Sequence, residues 1–180
     1  ASDVRSVRAL DDLIEFSGDH MRCQGQIETD SDTLELEVFY SNKPIKQKNF
    51  KKNGVNLKNS QYLGNLLTVL FQPEDLNMLC LGPALRRQYM NIILCQTDRK
   101  YLNALDKYKK VLKQRNALLH QIREFEFQQK NTHQLMQDLE AWDQEIIQYG
   151  SAVTARRIAL IQFLDQKLEQ IYQSISSGKE

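Results

Sequence analysis

Seven glycines, at positions 18, 25, 54, 64, 82, 150 and 178, are too few and too scattered to form a Gly-x-x-x-x-Gly-Lys-Ser/Thr loop that could cradle phosphates. This stretch therefore cannot act alone as a P-loop nucleotide hydrolase. Cysteine is equally sparse: Cys23, Cys80 and Cys95 are odd in number and far apart, which argues against a disulfide framework or a Cys-x-x-Cys zinc site and for buried free thiols. His20, His120 and His133 have no partner at metal-ligand spacing, so no metal site is expected. There is no His-Glu-x-x-His helix and no serine or cysteine in a nucleophile context. No apolar run approaches the roughly 20 residues of a membrane span, and the start has no basic-then-apolar signal pattern. The expectation is a soluble, cytoplasmic chain without membrane contact, long enough for one domain with a real core.

The small net charge of +1 conceals a strong segregation. Residues 1–40 carry 3 basic and 10 acidic side chains, residues 41–123 carry 16 basic against 4 acidic, and residues 124–180 carry 5 basic against 9 acidic. The middle is thus +12 and the flanks together −11. Such polarity gives one positive region suited to a polyanion. Its members are Lys43, Lys46, Lys48, Lys51, Lys52 and Lys58, then Arg86, Arg87, Arg99, Lys100, Lys107, Lys109, Lys110, Lys113, Arg115 and Arg123. Any single lysine among them is as well explained by edge-strand protection or a solvated helix face; the cluster carries the information.

The first half reads as sheet. Residues 22–27 form one strand, and Leu34, Leu36 and Val38 alternate with Glu35 and Glu37 in a second, with a turn over 29–32 between them. After Lys43-Pro44 a further strand runs from 45 to 51, and Asn53-Gly54 predicts a tight hairpin because both turn positions favour positive φ. Val55 and Leu57 continue it. Leu66 to Phe71 is a compact apolar run expected to be the buried member of a sheet of four or five strands, stopped by Pro73. Glu74 and Asp75 follow at the mouth of that strand, and Gly82-Pro83 opens the helical half.

From Pro83 on the pattern is helical. A short helix spans 85–95, and Asp98 caps a longer one of about 28 residues with Tyr101, Leu105, Tyr108, Leu112, Leu119 and Ile122 on one face. A polar reversal at 128–132 precedes a returning series, Leu135, Leu139, Trp142, Ile146, Tyr149, Val153, Leu160 and Phe163, shifting to Leu164, Leu168, Ile171 and Ile175. The fold class is α+β: a small antiparallel sheet (1–82) followed by a helical lobe (83–180) with an antiparallel coiled-coil-like helix pair, in one compact unit. Tyr101, Tyr108 and Tyr149 sit at heptad spacing and read as packing residues, not a base-stacking series. Arg115 and Arg156 interrupt the two seams; both are expected to snorkel to solvent, the alternative being an acidic partner.

Residues 69–91 carry a family resemblance. Val69-Leu70-Phe71-x-Pro73-Glu74-Asp75-Leu76, followed by Pro83-x-x-Arg86-Arg87-x-Tyr89, is similar to the hallmark of the RecF family of DNA replication and repair proteins. Tyr101-Leu102-x-Ala104-Leu105 and Leu112-x-x-Arg115-Asn116-Ala117-Leu118-Leu119 resemble its long-helix motif, and Trp142-Asp143 with Gly150 its returning helix. Leu81 stands where the family usually has Gly, and Asn91 where it usually has Asp.

The resemblance implies an interior piece of an ATPase of the ABC and SMC-head type, without the phosphate loop, signature motif and Walker-B strand. ATP with Mg would then be bound by the full-length protein, and not by this chain alone. Gln72, Glu74 and Asp75 would lie in the loop that senses the nucleotide's γ-phosphate; a strand-end turn with an acid capping the next segment is the open alternative. The DNA contacts would come from Lys43, Lys46, Lys48, Lys51, Lys52, Lys58, Arg86, Arg87, Lys109, Lys113 and Arg115. RecR, RecO, gapped DNA and an ATP-dependent homodimer are the implied partners. A non-enzymatic helical-hairpin interaction module is the rival reading.

Overall fold

The computed structural model describes residues 10–29 and 32–176. The chain divides into two units, Ala1–Gln72 and Pro73–Glu180. The expected class is found: an antiparallel sheet, then helices.

The sheet is a meander of β1 (His20–Glu28), β2 (Thr33–Ser41), β3 (Gln47–Lys52) and β4 (Val55–Leu57) in that spatial order. One transverse row pairs Cys23 with Val38, Val38 with Phe50 and Phe50 with Leu57. Because side chains alternate along each strand, this row shares its face with Leu36 and Tyr40, and the neighbouring row places Arg22, Phe39 and Asn49 on the other. Leu36, Tyr40 and Phe50 are buried, and α1 (Asn59–Tyr62) lays the Tyr62 ring 4.9 Å from that of Phe50. The hairpin signal is realised as φ 49° at Asn53 and 76° at Gly54. Asn53 also fastens the turn from the side, accepting from Glu35 N at 2.8 Å. Of the expected turn at 29–32, residues 30 and 31 lie outside the described ones; Thr29 N donates to Asp32 O at 2.9 Å.

The apolar run Leu66–Phe71 is not a strand. Residues 67–72 have no regular structure, Val69 is fully exposed and Phe71 is 73% exposed. The sequence is apolar on both faces, as a strand sandwiched between two layers must be. Here β4 is only three residues long and α1 follows almost at once, and the run beyond α1 joins no strand and leaves its large apolar side chains exposed.

In the second unit a 3-10 turn (Pro73–Leu76) leads into the short α2 (Asn77–Cys80), then α3 (Pro83–Thr97), α4 (Arg99–Phe127) and α5 (His133–Ser176). Pro83 opens α3 at its first turn, where a missing N–H costs nothing. Asp98 caps α4, its Oδ1 accepting from Lys100 N at 2.8 Å and Tyr101 N at 3.0 Å. The reversal turns on Gln129 at φ 55°, with Lys130 N bonded to Phe125 O at 2.8 Å, and Asn131 Oδ1 accepts from His133 N to start α5.

α4 and α5 are antiparallel, and their register is a heptad one. Arg115 meets Asp143, Tyr108 meets Gly150 and Tyr101 meets Arg157, so each step of seven back along α4 matches a step of seven forward along α5. The core of this unit is Leu94, Tyr101, Leu105 and Val153, flanked by Cys95, Ala104, Tyr108 and Leu160. The tyrosines at 101 and 108 are therefore packing residues. The expected buried thiols are found only in part: Cys23 and Cys80 are exposed, while Cys95 is half-buried, and burial raises its pKa. Among the described residues no group of three or more His, Cys, Asp or Glu could hold a metal ion, and no helix is long and apolar enough to cross a membrane.

Candidate nucleic-acid interface

The hairpin lysines do not share one face. Strand alternation places Lys48 and Lys52 on the side of Phe50, and Lys51 on the opposite side. Lys48 Nζ lies 5.2 Å from the Phe50 ring centre, and burial lowers its pKa. Lys52 Nζ donates to Asn65 Oδ1 at 2.9 Å. Lys51 Nζ is 2.9 Å from Glu37 Oε1, whose other oxygen stands 3.8 Å from Arg22 Nε. The bond to Lys51, then the nearby charge of Arg22, holds Glu37 below its ordinary pKa. Lys46 is bound to Asp11 at 2.9 Å, and the Tyr40 hydroxyl donates to the same carboxylate at 2.6 Å. Those two bonds, Tyr40 first, lower the Asp11 pKa, and the Asp11 bond raises that of Lys46. Two of the six cations, Lys46 and Lys51, are thus already balanced by carboxylates. Lys43, in the turn between β2 and β3, and Lys58, before α1, are exposed.

On the helical side, Arg86 turns back along the chain and donates through one terminal nitrogen to Met78 O at 3.3 Å and Leu81 O at 3.4 Å, satisfying carbonyls at the end of α2. Arg87 is exposed, as are Lys109 and Lys113 on α4. Arg115 is half-buried and donates from Nε to Asp143 Oδ1 at 2.5 Å. Arg156 likewise finds an acid, Asp98, at 3.2 Å. Both seam arginines therefore meet carboxylates, the acidic-partner alternative; Arg115 does so half-buried, while Arg156 also stays exposed as snorkelling predicts. Trp142-Asp143 supplies the partner of the Arg115 motif, which ties two of the sequence signatures together.

The acidic segment is a 3-10 turn, Pro73–Leu76, entered from the irregular stretch that holds the half-buried Gln72. Asp75 is half-buried in the turn.

One polar cluster was not legible in the sequence. Asn91 of α3, Tyr101 of α4 and Arg157 of α5 meet at the root of the helix pair. Tyr101 Oη donates to Asn91 Oδ1 at 2.5 Å, while Arg157 donates to Tyr101 Oη at 3.1 Å and to Asn91 Oδ1 at 2.9 Å. Burial, the larger influence, raises the Tyr101 pKa, against the opposing bond from Arg157.

No family model matches the chain. Among curated proteins, the DNA replication and repair protein RecF of Streptococcus equi subsp. zooepidemicus (strain MGCS10565) is 39% identical over 171 residues, 94% of this chain and 43% of its own length. RecF of Halalkalibacterium halodurans is 34% identical over 170 residues, again 94% of this chain and 43% of that protein. Among solved structures, the recombination mediator protein RecF-ATP in the RecFOR pathway superposes with a TM-score of 0.84 at 27% identity, covering 97% of this chain and 44% of that one. RecF-ATPrS gives 0.82 at 26%, covering 97% and 45%. The chain spans a little under half the length of the relatives it matches. Likeness in sequence and likeness in fold extend over nearly every residue, and on both grounds the chain belongs to the RecF family.

Proposed function

We propose that this chain is a working part of an ATP-dependent, DNA-binding recombination mediator acting in replication, gap repair and SOS induction. The observation that carries the reading is the match to RecF proteins along 94% of the chain, joined to a central segment of charge +12. The exposed cations not engaged in the bonds described above, Lys43 and Lys58 on the sheet unit and Arg87, Lys109 and Lys113 on the helical unit, are the DNA contacts of first choice. Lys48 and Lys52 can add to them from the Phe50 face. Arg115 takes a structural part through Asp143. Contacts of this kind neutralise phosphates without reading bases, so binding is sequence-tolerant and salt-dependent.

ATP with Mg would be held by the rest of the full-length protein, with Gln72, Glu74 and Asp75 answering to its γ-phosphate and driving an ATP-dependent homodimer that works with RecR and RecO on gapped DNA. Each half has its own test. Titration of a gapped duplex across a salt series should give a falling log-log line, and a salt-independent affinity would remove the DNA reading. Glu74→Gln in the full-length protein should reduce ATP turnover, and unchanged turnover would remove the sensor assignment.

A further inference from the structure

We infer that the DNA surface includes a straight ladder along one flank of α4 that ends in an aromatic stacking post at the tip of the helix pair. The inference rests on the DNA-binding reading above and gives it a location and a polarity.

Lys109, Lys113, Asn116, His120, Arg123 and Phe127 follow one another at alternating steps of four and three, so they line a single helix face, rotated from the Tyr101, Tyr108 and Arg115 seam. The ladder climbs about 27 Å at 1.5 Å per residue. All its members are exposed, whereas Tyr101 of the seam is buried and Tyr108 and Arg115 are half-buried. His120 and Arg123, with Asn116 and Leu119, line an open groove of about 280 Å³. The ladder itself contains no carboxylate, but acids flank it: Asp106, held by Lys110 at 2.8 Å, stands one step from Lys109, while Glu124 neighbours His120 and Phe127 and Glu126 neighbours Arg123.

Phe127 closes the series at the last turn of α4, 90% exposed. An aromatic so exposed gains nothing from packing, and it stands where a phosphate-bound strand would arrive. Cations tracking a backbone beside an exposed ring are the elements of single-strand recognition, since every base has a face to stack. Duplex DNA hides its bases, so the ring can be used only where a strand is open. The ladder therefore fits a junction between duplex and single strand, with the phosphates along Lys109 to Arg123 and the first unpaired base on Phe127.

The test uses the whole chain and a gapped duplex carrying 2-aminopurine as the first unpaired base. Replacing Lys109, Lys113 and Arg123 by Glu should weaken binding at least tenfold and lower the salt slope by about 2 to 3, one fraction-of-unity step per lost phosphate contact. Replacement by Gln gives the same comparison without added negative charge, should reversal disturb the helix. Phe127→Ala should keep the slope, abolish the 2-aminopurine quench and remove the preference for the junction over uninterrupted duplex. If the parent chain binds and both sets of variants match it in slope, quench and preference, the ladder is wrong while the DNA reading stands on the sheet lysines. If the parent chain binds no DNA, both fall. If the ladder variants keep DNA binding and lose only association with a protein partner, the flank is a protein surface and the inference is overturned.

Discussion

Asn91→Asp should make this protein more stable, and the reason lies in what Arg157 is given to bind. The guanidinium is half-buried at the root of the helix pair, and the oxygens it reaches, Tyr101 Oη at 3.1 Å and Asn91 Oδ1 at 2.9 Å, are both neutral. The bond to Asn91 is already assisted by the guanidinium charge, so a carboxylate at 91 adds the attraction of an ion pair, up to about 1 kcal/mol at partial exposure. In a chain of this size that is a rise in Tm of about 2–4 °C. The pH dependence supplies a second reading. An aspartate beside Arg157 has its folded pKa held below the unfolded value of about 3.9, so the added stability is fully present above that value and lost as pH falls through the folded pKa. Thermal melts followed by circular dichroism at pH 7 and pH 3 are sufficient. A variant that melts at or below the parent temperature at pH 7, or whose gain survives unchanged at pH 3, would refute the account.

Three further expectations follow from the same packing. Asp98→Ala removes both capping bonds to α4 and the partner of Arg156, and should cost about 1–2 kcal/mol in chemical denaturation; a change within error would mean the helix pair holds its own start. At Gly150 an added Cβ would lie 3.3 Å from the Tyr108 ring, so Gly150→Leu should overpack the seam and cost about 1–3 kcal/mol, with a stable variant refuting the close approach. Glu37 lies below its ordinary pKa because of Lys51 and Arg22, so its stabilising effect is present above the unfolded carboxylate pKa and fades as pH falls; Glu37→Gln should flatten the acid limb of a Tm-against-pH curve, and an identical limb in the variant would contradict this.

The elements with local signatures were legible in the sequence. Asn53-Gly54 names its own turn, Asp98 its own cap, and the spacing of Tyr101, Tyr108 and Leu105 its own face. Leu66–Phe71 was misread because apolarity states what a segment would bury, not whether a neighbour exists to bury it. The basic cluster was visible as a count, yet its division was not: strand alternation sends Lys51 away from Lys48 and Lys52, and only the register with Glu37 shows which cation is already answered. Arg115 and Arg156 were recognised as interruptions, but their acids lie 28 and 58 positions away along the chain, beyond any local pattern. The Asn91, Tyr101 and Arg157 cluster has the same character, since three helices must be assembled before it exists.

The heptad register of α4 and α5 has a mechanical consequence. A helical pair cross-tied at Arg115, Tyr108 and Tyr101 bends little along its length, so motion at one end is delivered to the other. From Arg99 to the reversal is about 43 Å at 1.5 Å per residue. A tilt of about ten degrees at the root would carry Phe127 through about 7 Å. The Asn91, Tyr101 and Arg157 cluster joins α3 to the root of that pair, so the length of the pair multiplies any displacement made there.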